Sequence, residues 1–458
     1  MNKYELLPTE DNLIKTLQED LLNRNKDVAG FYDLLSNDSW GNSVAIDSRW
    51  GSGKTFFVKQ TMLLINANNS FSQLDQEKRG KILSYLPSQK NSNKCDFAVY
   101  YDAWENDNDA DPALSLVYTI AKQIDAEYKP KNNLKLSTLL AAIFSAFSGR
   151  DINTLVDRLK EQNPIDVITK EKDLKESIDE FFAEILLERG NRLIIFVDEL
   201  DRCRPSYAVQ LLERIKHYFS NDRVTFVFSV NIEELQHTIK RYYGNDFNAC
   251  QYLDRFFDLR MSLPPADLEK YYDRIGINSS YILDKVCKRV ISVYNMEVRQ
   301  IAHFYSQIKA AVYDSLYVNV RDFTFTDGRG REVLLIYLVP LLIGLKISDI
   351  KVYYEFVDGR NSKPLIEMYK NSKVGEELLD KLIDINTETY YDKNKEQRKV
   401  TAEGKLQELY DAVFVYEYGY STEECCKQIG ELKFNAESKS LVKKAASMLS
   451  GYANFEIR

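Results

Sequence analysis

Along the first 265 residues the hydrophobic positions switch repeatedly between two periods. Short runs with the alternating or continuous apolar pattern of a strand are separated by stretches with the 3.6-residue period of a helix. Val44-Ala45-Ile46 reads as the first strand, after two helical patterns at 12–23 and 28–35, and a helix follows from Lys54 to about residue 66. Asp96–Asp102 alternates toward a second strand, and Pro112 to about Glu127 is helical. Residues 174–189 place apolar side chains at 174, 178, 181, 182, 185 and 186, one face of a helix. Residues 193–197 are continuously apolar, as expected of a strand covered on both faces of a parallel sheet. Pro205 then opens a helix over 207–219, and Val224–Val230 is a further buried strand. Polar stretches at about 68–95 (one helix at most) and 129–170 read as insertions.

After Pro264-Pro265 the strand pattern stops, and helical patterns follow at 279–294, 296–313, 331–347, 366–384 and 402–418. A short hairpin is expected around 323–331. The expected fold class is thus α/β, a doubly wound core with helical insertions over 1–265, followed by an α-rich region over 266–458. Two apolar runs lie at 134–147 and 333–345. The second leaves 13 uncharged residues between Glu332 and Lys346, short of the roughly 20 that cross a bilayer. Both read as buried helices, with a membrane-facing or partner-facing surface as the alternative.

The join between the first strand and its helix carries the chemistry. Val44-Ala-Ile-Asp-Ser-Arg-Trp-Gly-Ser-Gly-Lys-Thr-Phe-Phe-Val58 has the strand, glycine-bearing turn and helix of a P-loop, a phosphate cradle of backbone N–H groups. The expected nucleotide-binding residues are Ser48, Arg49, Trp50, Gly51, Ser52, Gly53, Lys54, Thr55 and Phe56. Lys54 would reach the β- and γ-phosphates and Thr55 would hold Mg²⁺. Gly51 and Gly53 let the backbone close on the phosphates, whereas Ser48 stands where the strict pattern has glycine.

Acidic residues follow directly on the apolar strand 193–197, at the strand end where ligands of open α/β sheets sit. Asp198 is placed to hold Mg²⁺ and Glu199 to orient or deprotonate an attacking water; a solvated loop carboxylate is the other reading of Glu199. Asp201 adds a third acid. Asn231, ending the next strand, would contact the γ-phosphate or the water, or simply cap the following helix.

Composition narrows the class. A chain of 458 residues has room for two or three domains, and its net charge of −8 argues against a dedicated nucleic-acid binder. The cysteines at 95, 203, 250, 287, 425 and 426 form no C-x-x-C, and the histidines at 217, 237 and 303 share no ligand spacing, so no zinc site is expected. The Cys425-Cys426 pair reads as helix packing. Scattered cysteines suit a reducing compartment, and residues 1–8 lack the features of a signal peptide. The expected place is the cytoplasm, with a peripheral membrane position as the alternative.

Trp50-Gly-Ser-Gly-Lys-Thr55, Asp102-Ala-Trp-Glu105, Phe196-Val-Asp-Glu-Leu-Asp-Arg-Cys203 and Tyr252-Leu-Asp-Arg-Phe-Phe257 before Leu263-Pro264 occur in this order. Together, over about residues 10–310, they resemble the KAP family of P-loop NTPases. The resemblance implies ATP binding and Mg²⁺-dependent hydrolysis, with Asp198 on the metal and the catalytic acid at Glu199 or Asp201. Many members insert membrane-spanning helices in this domain, but the insertion at 129–170 lacks a run long enough. Bacterial members are often tied to phage exclusion. Two arginines are candidates to complete such a site: Arg255, where the family pattern more often has lysine, and Arg299, placed like a sensor arginine. A surface salt bridge is the alternative for each.

Three readings compete. The first is an ATP-driven switch whose C-terminal helices engage a protein partner or separate effector in anti-phage defence, with homo-oligomerisation left open. The second is a nucleotide-binding scaffold with little hydrolysis, linking partners or a membrane surface, suggested by Ser48. The third, a small-molecule kinase, lacks a recognisable acceptor or lid pattern.

Overall fold

The computed structural model describes residues 6–36, 42–86, 95–127, 175–186, 191–219, 221–313, 328–383, 390–391, 397–398, 401–419 and 425–446. Two compact units divide between Lys270 and Tyr271. The insertion at 129–170, with its apolar run 134–147, lies outside the described residues.

The N-terminal unit begins with helices α1 (Glu10–Glu19) and α2 (Asn25–Leu35). Strand β1 (Ser43–Asp47) leads through the glycine-bearing loop into α3 (Lys54–Asn68), then α4 (Gln76–Tyr85). Next come β2 (Asp96–Asp102), α5 (Pro112–Glu127), α6 (175–186) and β3 (Arg192–Asp198). A 3₁₀ turn at Leu200–Arg202 precedes α7 (Pro205–Tyr218), β4 (Val224–Val230), α8 (Ile232–Tyr243), the short α9 (Ala249–Leu253) and β5 (Leu259–Ser262).

The five strands form one sheet in the order β2-β3-β4-β1-β5, every pair parallel. From β1 the chain crosses to the far edge, returns through β2, β3 and β4, and then passes β1 to add β5. Parallel crossovers are right-handed, so the outward and the returning helices must cover opposite faces. The core divides accordingly. Val44, Ile46, Ala98, Ile194, Phe196 and Val227 pack with α1, α2 and α3. Ala45, Val99, Tyr101, Ile195, Val197 and Phe228 pack with α5, α6, α7 and α8. Alternate strand residues therefore serve two cores, which is why β3 and β4 read as unbroken apolar runs. A chain of ring contacts, Phe182–Phe219–Phe226–Phe228–Phe257, with centroids 5.2–6.2 Å apart, ties α6 to the turn after α9.

β5 has no counterpart in the hydrophobic pattern. It is four residues long and only half-buried, and its register is set by pairing with β1.

In the C-terminal unit the described helices include Ile282–Val293, Val298–Ile308, Ile350–Val357 and Ala402–Tyr410. The apolar run at 333–345 is buried along its length, in a helix made of Gly328–Val333, a wide π turn at Leu334–Leu338 and Val339–Ser348. The wide turn falls just before Pro340, which has no N–H to give an ordinary helical bond. Among the described residues no helix is long and apolar enough to cross a membrane.

Three local expectations change. Residues 328–331 of the expected hairpin are helical, the rest of that hairpin lying outside the described residues. A hairpin occurs instead at Cys426–Ile429 and Leu432–Asn435, closed by a two-residue turn in which Gly430 takes φ 57°. Cys425 and Cys426 therefore sit at the start of a strand, not on a helix. The single helix expected over 366–384 is two, Lys363–Tyr369 and Lys373–Leu382. Asn371 turns left-handed between them (φ 61°), and Ser372 Oγ accepts the Gly375 N–H at 3.0 Å to start the second.

Candidate functional site

β1 and its neighbour β4 send their following helices to opposite faces of the sheet, α3 to one and α8 to the other. The crevice at such a switch point is where open α/β sheets take ligands. Ser48–Gly53 occupies it. Gly51 and Gly53 adopt φ 85° and 94°, a region costly for any residue with a Cβ. A Cβ at Gly53 would also lie 3.2 Å from a guanidinium nitrogen of Arg24. Ser48 is not among the residues with positive φ, so its backbone needs no glycine; its N–H donates to Val230 O at 3.1 Å.

Lys54 is buried at the first position of α3, and its Nζ donates to the loop's own carbonyls, Ser48 O at 2.5 Å and Arg49 O at 3.1 Å. Burial pushes its pKa down, while Asp201, Asp198, Glu199 and Asp47 act to keep it charged. Ser52 Oγ is buried with no hydrogen-bond partner among the described residues. A cation resting on backbone carbonyls, an orphaned hydroxyl and two Cβ-free positions together fit a polyanion of phosphate size.

The strand β4 separates β1 from β3, so the loop and the acidic strand end are roughly 10 Å apart across the sheet. Side chains close that distance. Thr55 Oγ1 donates to Asp198 Oδ2 at 2.8 Å, Tyr100 OH donates to the same oxygen at 3.0 Å, and the Glu199 N–H donates to Oδ1 at 3.0 Å. Asp198 is almost wholly buried. Burial and the neighbouring carboxylates push the Tyr100 phenol far up, so it stays a donor. Thr55 and Asp198 supply hard oxygens of the kind Mg²⁺ prefers. Among the described residues no group of three or more His, Cys, Asp or Glu could hold a metal, so the pair fits an ion that takes its other ligands from phosphate and water.

Glu199 sits in the left-handed region (φ 60°), a sharp bend that turns the chain off β3 into the 3₁₀ turn. Its Oε2 lies 2.6 Å from Arg202 Nε. Its carboxyl is pushed up to about 7, by burial first and then by Asp198, with Arg202 opposing. Asp201 is differently employed. Its Oδ2 accepts Trp50 Nε1–H at 2.5 Å and the Asn231 N–H at 3.1 Å, joining the loop, the acidic turn and the start of α8. Burial raises its pKa, and those hydrogen bonds and Lys54 oppose the rise.

The Asn231 side chain caps α8, its Oδ1 accepting the Glu234 N–H at 3.4 Å. Arg49 and Trp50 are exposed on the loop, and Phe56 is partly buried against the α1–α3 core. Arg255 is exposed on the turn after α9, where its carbonyl accepts from Lys216 Nζ. Arg299 lies in the first turn of Val298–Ile308, in the other unit. The hydrogen bonds of the site bring together Trp50, Lys54, Thr55, Asp198, Glu199, Asp201 and Asn231; among the described residues they do not include Arg255.

Three residues near the loop were not assigned a role from the pattern. Tyr100 holds Asp198, and its ring carries Lys59 Nζ 4.2 Å from the centroid. Arg202 pairs with Glu199. Arg24, buried behind the loop, donates to Ser52 O at 2.8 Å and to Pro264 O at 2.5 Å. Only Arg202 had a signal, the Asp-Arg-Cys string after the strand.

A parallel doubly wound sheet with this loop at its switch point, and a hydroxyl–carboxylate pair across β4, defines a P-loop nucleotide-binding domain. The family model described as the KAP family P-loop domain matches residues 24–324, more than half of the chain. The chain belongs to the KAP family of P-loop NTPases. No curated protein matches it.

Arg24→Met removes a buried donor from two carbonyls, one of them buried, and is expected to cost about 2 kcal/mol. A fall of several degrees in the melting temperature of the N-terminal unit would register this; an unchanged melting temperature would show that the carbonyls find other donors.

Proposed function

We propose that this chain binds MgATP at the β1–β4 switch point and hydrolyses it. The observation that carries the reading is the 2.8 Å contact between Thr55 Oγ1 and Asp198 Oδ2. It pairs the two side chains that a P-loop site uses for its metal, although they stand on different elements of the sheet. Lys54 leaves its loop carbonyls to meet the β- and γ-phosphates. Bound Mg²⁺ would neutralise charge on those phosphate oxygens. Glu199 accepts the proton of the attacking water. It is preferred to Asp201 because the Asp201 carboxylate already holds Trp50 and Asn231. Asn231 keeps its side chain on the α8 cap, while Arg255 and Arg299 remain candidates for a charge supplied on assembly.

The same reading makes the chain a nucleotide-driven switch. Its support is the reach of the family match, which runs past Lys270 to residue 324 and so takes in the first C-terminal helices. A role in antiviral defence beside a separate effector rests on family resemblance alone. Ser48 gives the scaffold alternative little support, since the backbone there does not need glycine.

Lys54→Ala should weaken ATP binding at least about 100-fold. Glu199→Gln should still bind ATP but turn over about 10²–10⁴-fold more slowly, the usual worth of a general base; wild-type turnover in that variant would remove Glu199 from the role. The pH profile supplies a second check. A base with its pKa raised to about 7 is protonated, and useless, below that pH. The value of kcat/KM, which reports groups of the free protein, should therefore fall about tenfold per pH unit below ~7 and level off above it. A profile flat from about pH 5.5 to 8 would contradict the assignment.

A further inference from the structure

Trp50 and Trp104 are 42% and 54% exposed. Neither gains much from burial, yet both stand beside the site. Trp50 is on the phosphate loop, and Trp104 follows β2, where the Ala103 N–H is bonded to Asp198 O at 3.0 Å. Arg202 is close to both, its guanidinium carbon 5.5 Å from the Trp50 ring centre and 5.7 Å from that of Trp104. Both distances are within reach of a cation–π contact. The same guanidinium holds Glu199 Oε2 through Nε at 2.6 Å. Three stretches far apart in sequence thus converge on one cation, and that cation touches the proposed base.

We infer that Arg202 is a positioning residue for Glu199, clamped by Trp50 and Trp104, and that the clamp ties the aim of the base to the loop that takes the phosphates. The inference rests on the ATPase reading above and adds to it. A glutamate has several rotatable bonds, and one ion pair near the surface fixes few of them. A planar guanidinium within reach of two aromatic rings is confined in a way that the point charge of a lysine would not be. Trp50 is itself tethered, its Nε1–H donating to Asp201 Oδ2 at 2.5 Å. Movement of the loop therefore carries Trp50 against Arg202, and Arg202 turns Glu199. The two tryptophans and the Asp-Arg pair of the signature acquire one shared purpose: they make the aim of the base depend on the state of the loop.

The test uses Trp104 in the full chain, because its side chain is exposed and its loss should leave folding intact. Trp104→Ala, Trp104→Phe and Arg202→Lys are compared with the wild type for ATP dissociation constant, kcat, KM and melting temperature. Expected is a kcat about tenfold lower in Trp104→Ala and in Arg202→Lys, a loss of the size that misaimed catalytic groups produce. ATP affinity and melting temperature should not change, and Trp104→Phe, which keeps a ring face, should recover most of the rate. A Trp104→Ala protein with wild-type kcat, or one whose KM rises while kcat stands, overturns the clamp and leaves the ATPase reading intact. A wild type that binds ATP without hydrolysing it overturns both.

Discussion

The buried carboxylate of Asp198 is the constraint on which the rest of this site depends. It lies at the end of β3, one strand removed from the loop it serves, because the sheet order inserts β4 between them. Thr55, Tyr100 and the Glu199 backbone reach it from three directions. An isolated buried charge is costly, and these hydrogen bonds are what make it tolerable. Asp201 does the matching work one turn later, binding the loop through Trp50 and the start of α8 through Asn231. The two acids thus hold the loop against a sheet that does not otherwise place it beside β3.

The same arrangement explains why polar groups can be concentrated here. Lys54 is buried among acids with its ammonium on loop carbonyls, Ser52 Oγ has no partner among the described residues, and Glu199 is bent into a backbone region that disfavours a side chain. Each is a local cost of order 1–3 kcal/mol. Large apolar cores on both faces of the sheet, one of them knit across α6, β4 and Phe257 by a run of phenylalanine ring contacts, offset them. Of these, the Ser52 hydroxyl and the Lys54 ammonium are groups that a phosphate ligand would engage.

Much of the fold was legible because strands covered on both faces must be apolar throughout. β4 stands at its expected bounds for that reason and β2 at its own through alternation, and Pro112 and Pro205 mark helix starts that rest on backbone chemistry. β5 was not legible, since a four-residue half-exposed strand exists only through its pairing with β1. The break at Asn371 was hidden because the apolar spacing continues across it. In the site, each motif announces its own chemistry but not its neighbours. That Thr55 and Asp198 oxygens come within 2.8 Å follows from neither motif alone. Arg24 acts on carbonyls 28 and 240 residues away, and no local pattern could disclose that.

Thr55 and Asp198 are proposed to form a metal-dependent nucleotide site. That proposal is tested most directly by calorimetric titration of ATP, with and without Mg²⁺, into the wild-type chain and Asp198→Asn. Mg²⁺ should tighten ATP binding about tenfold or more in the wild type and have little effect in Asp198→Asn. Equal tightening in both proteins would contradict the proposal, because the metal would then owe nothing to the carboxylate on which the site is built.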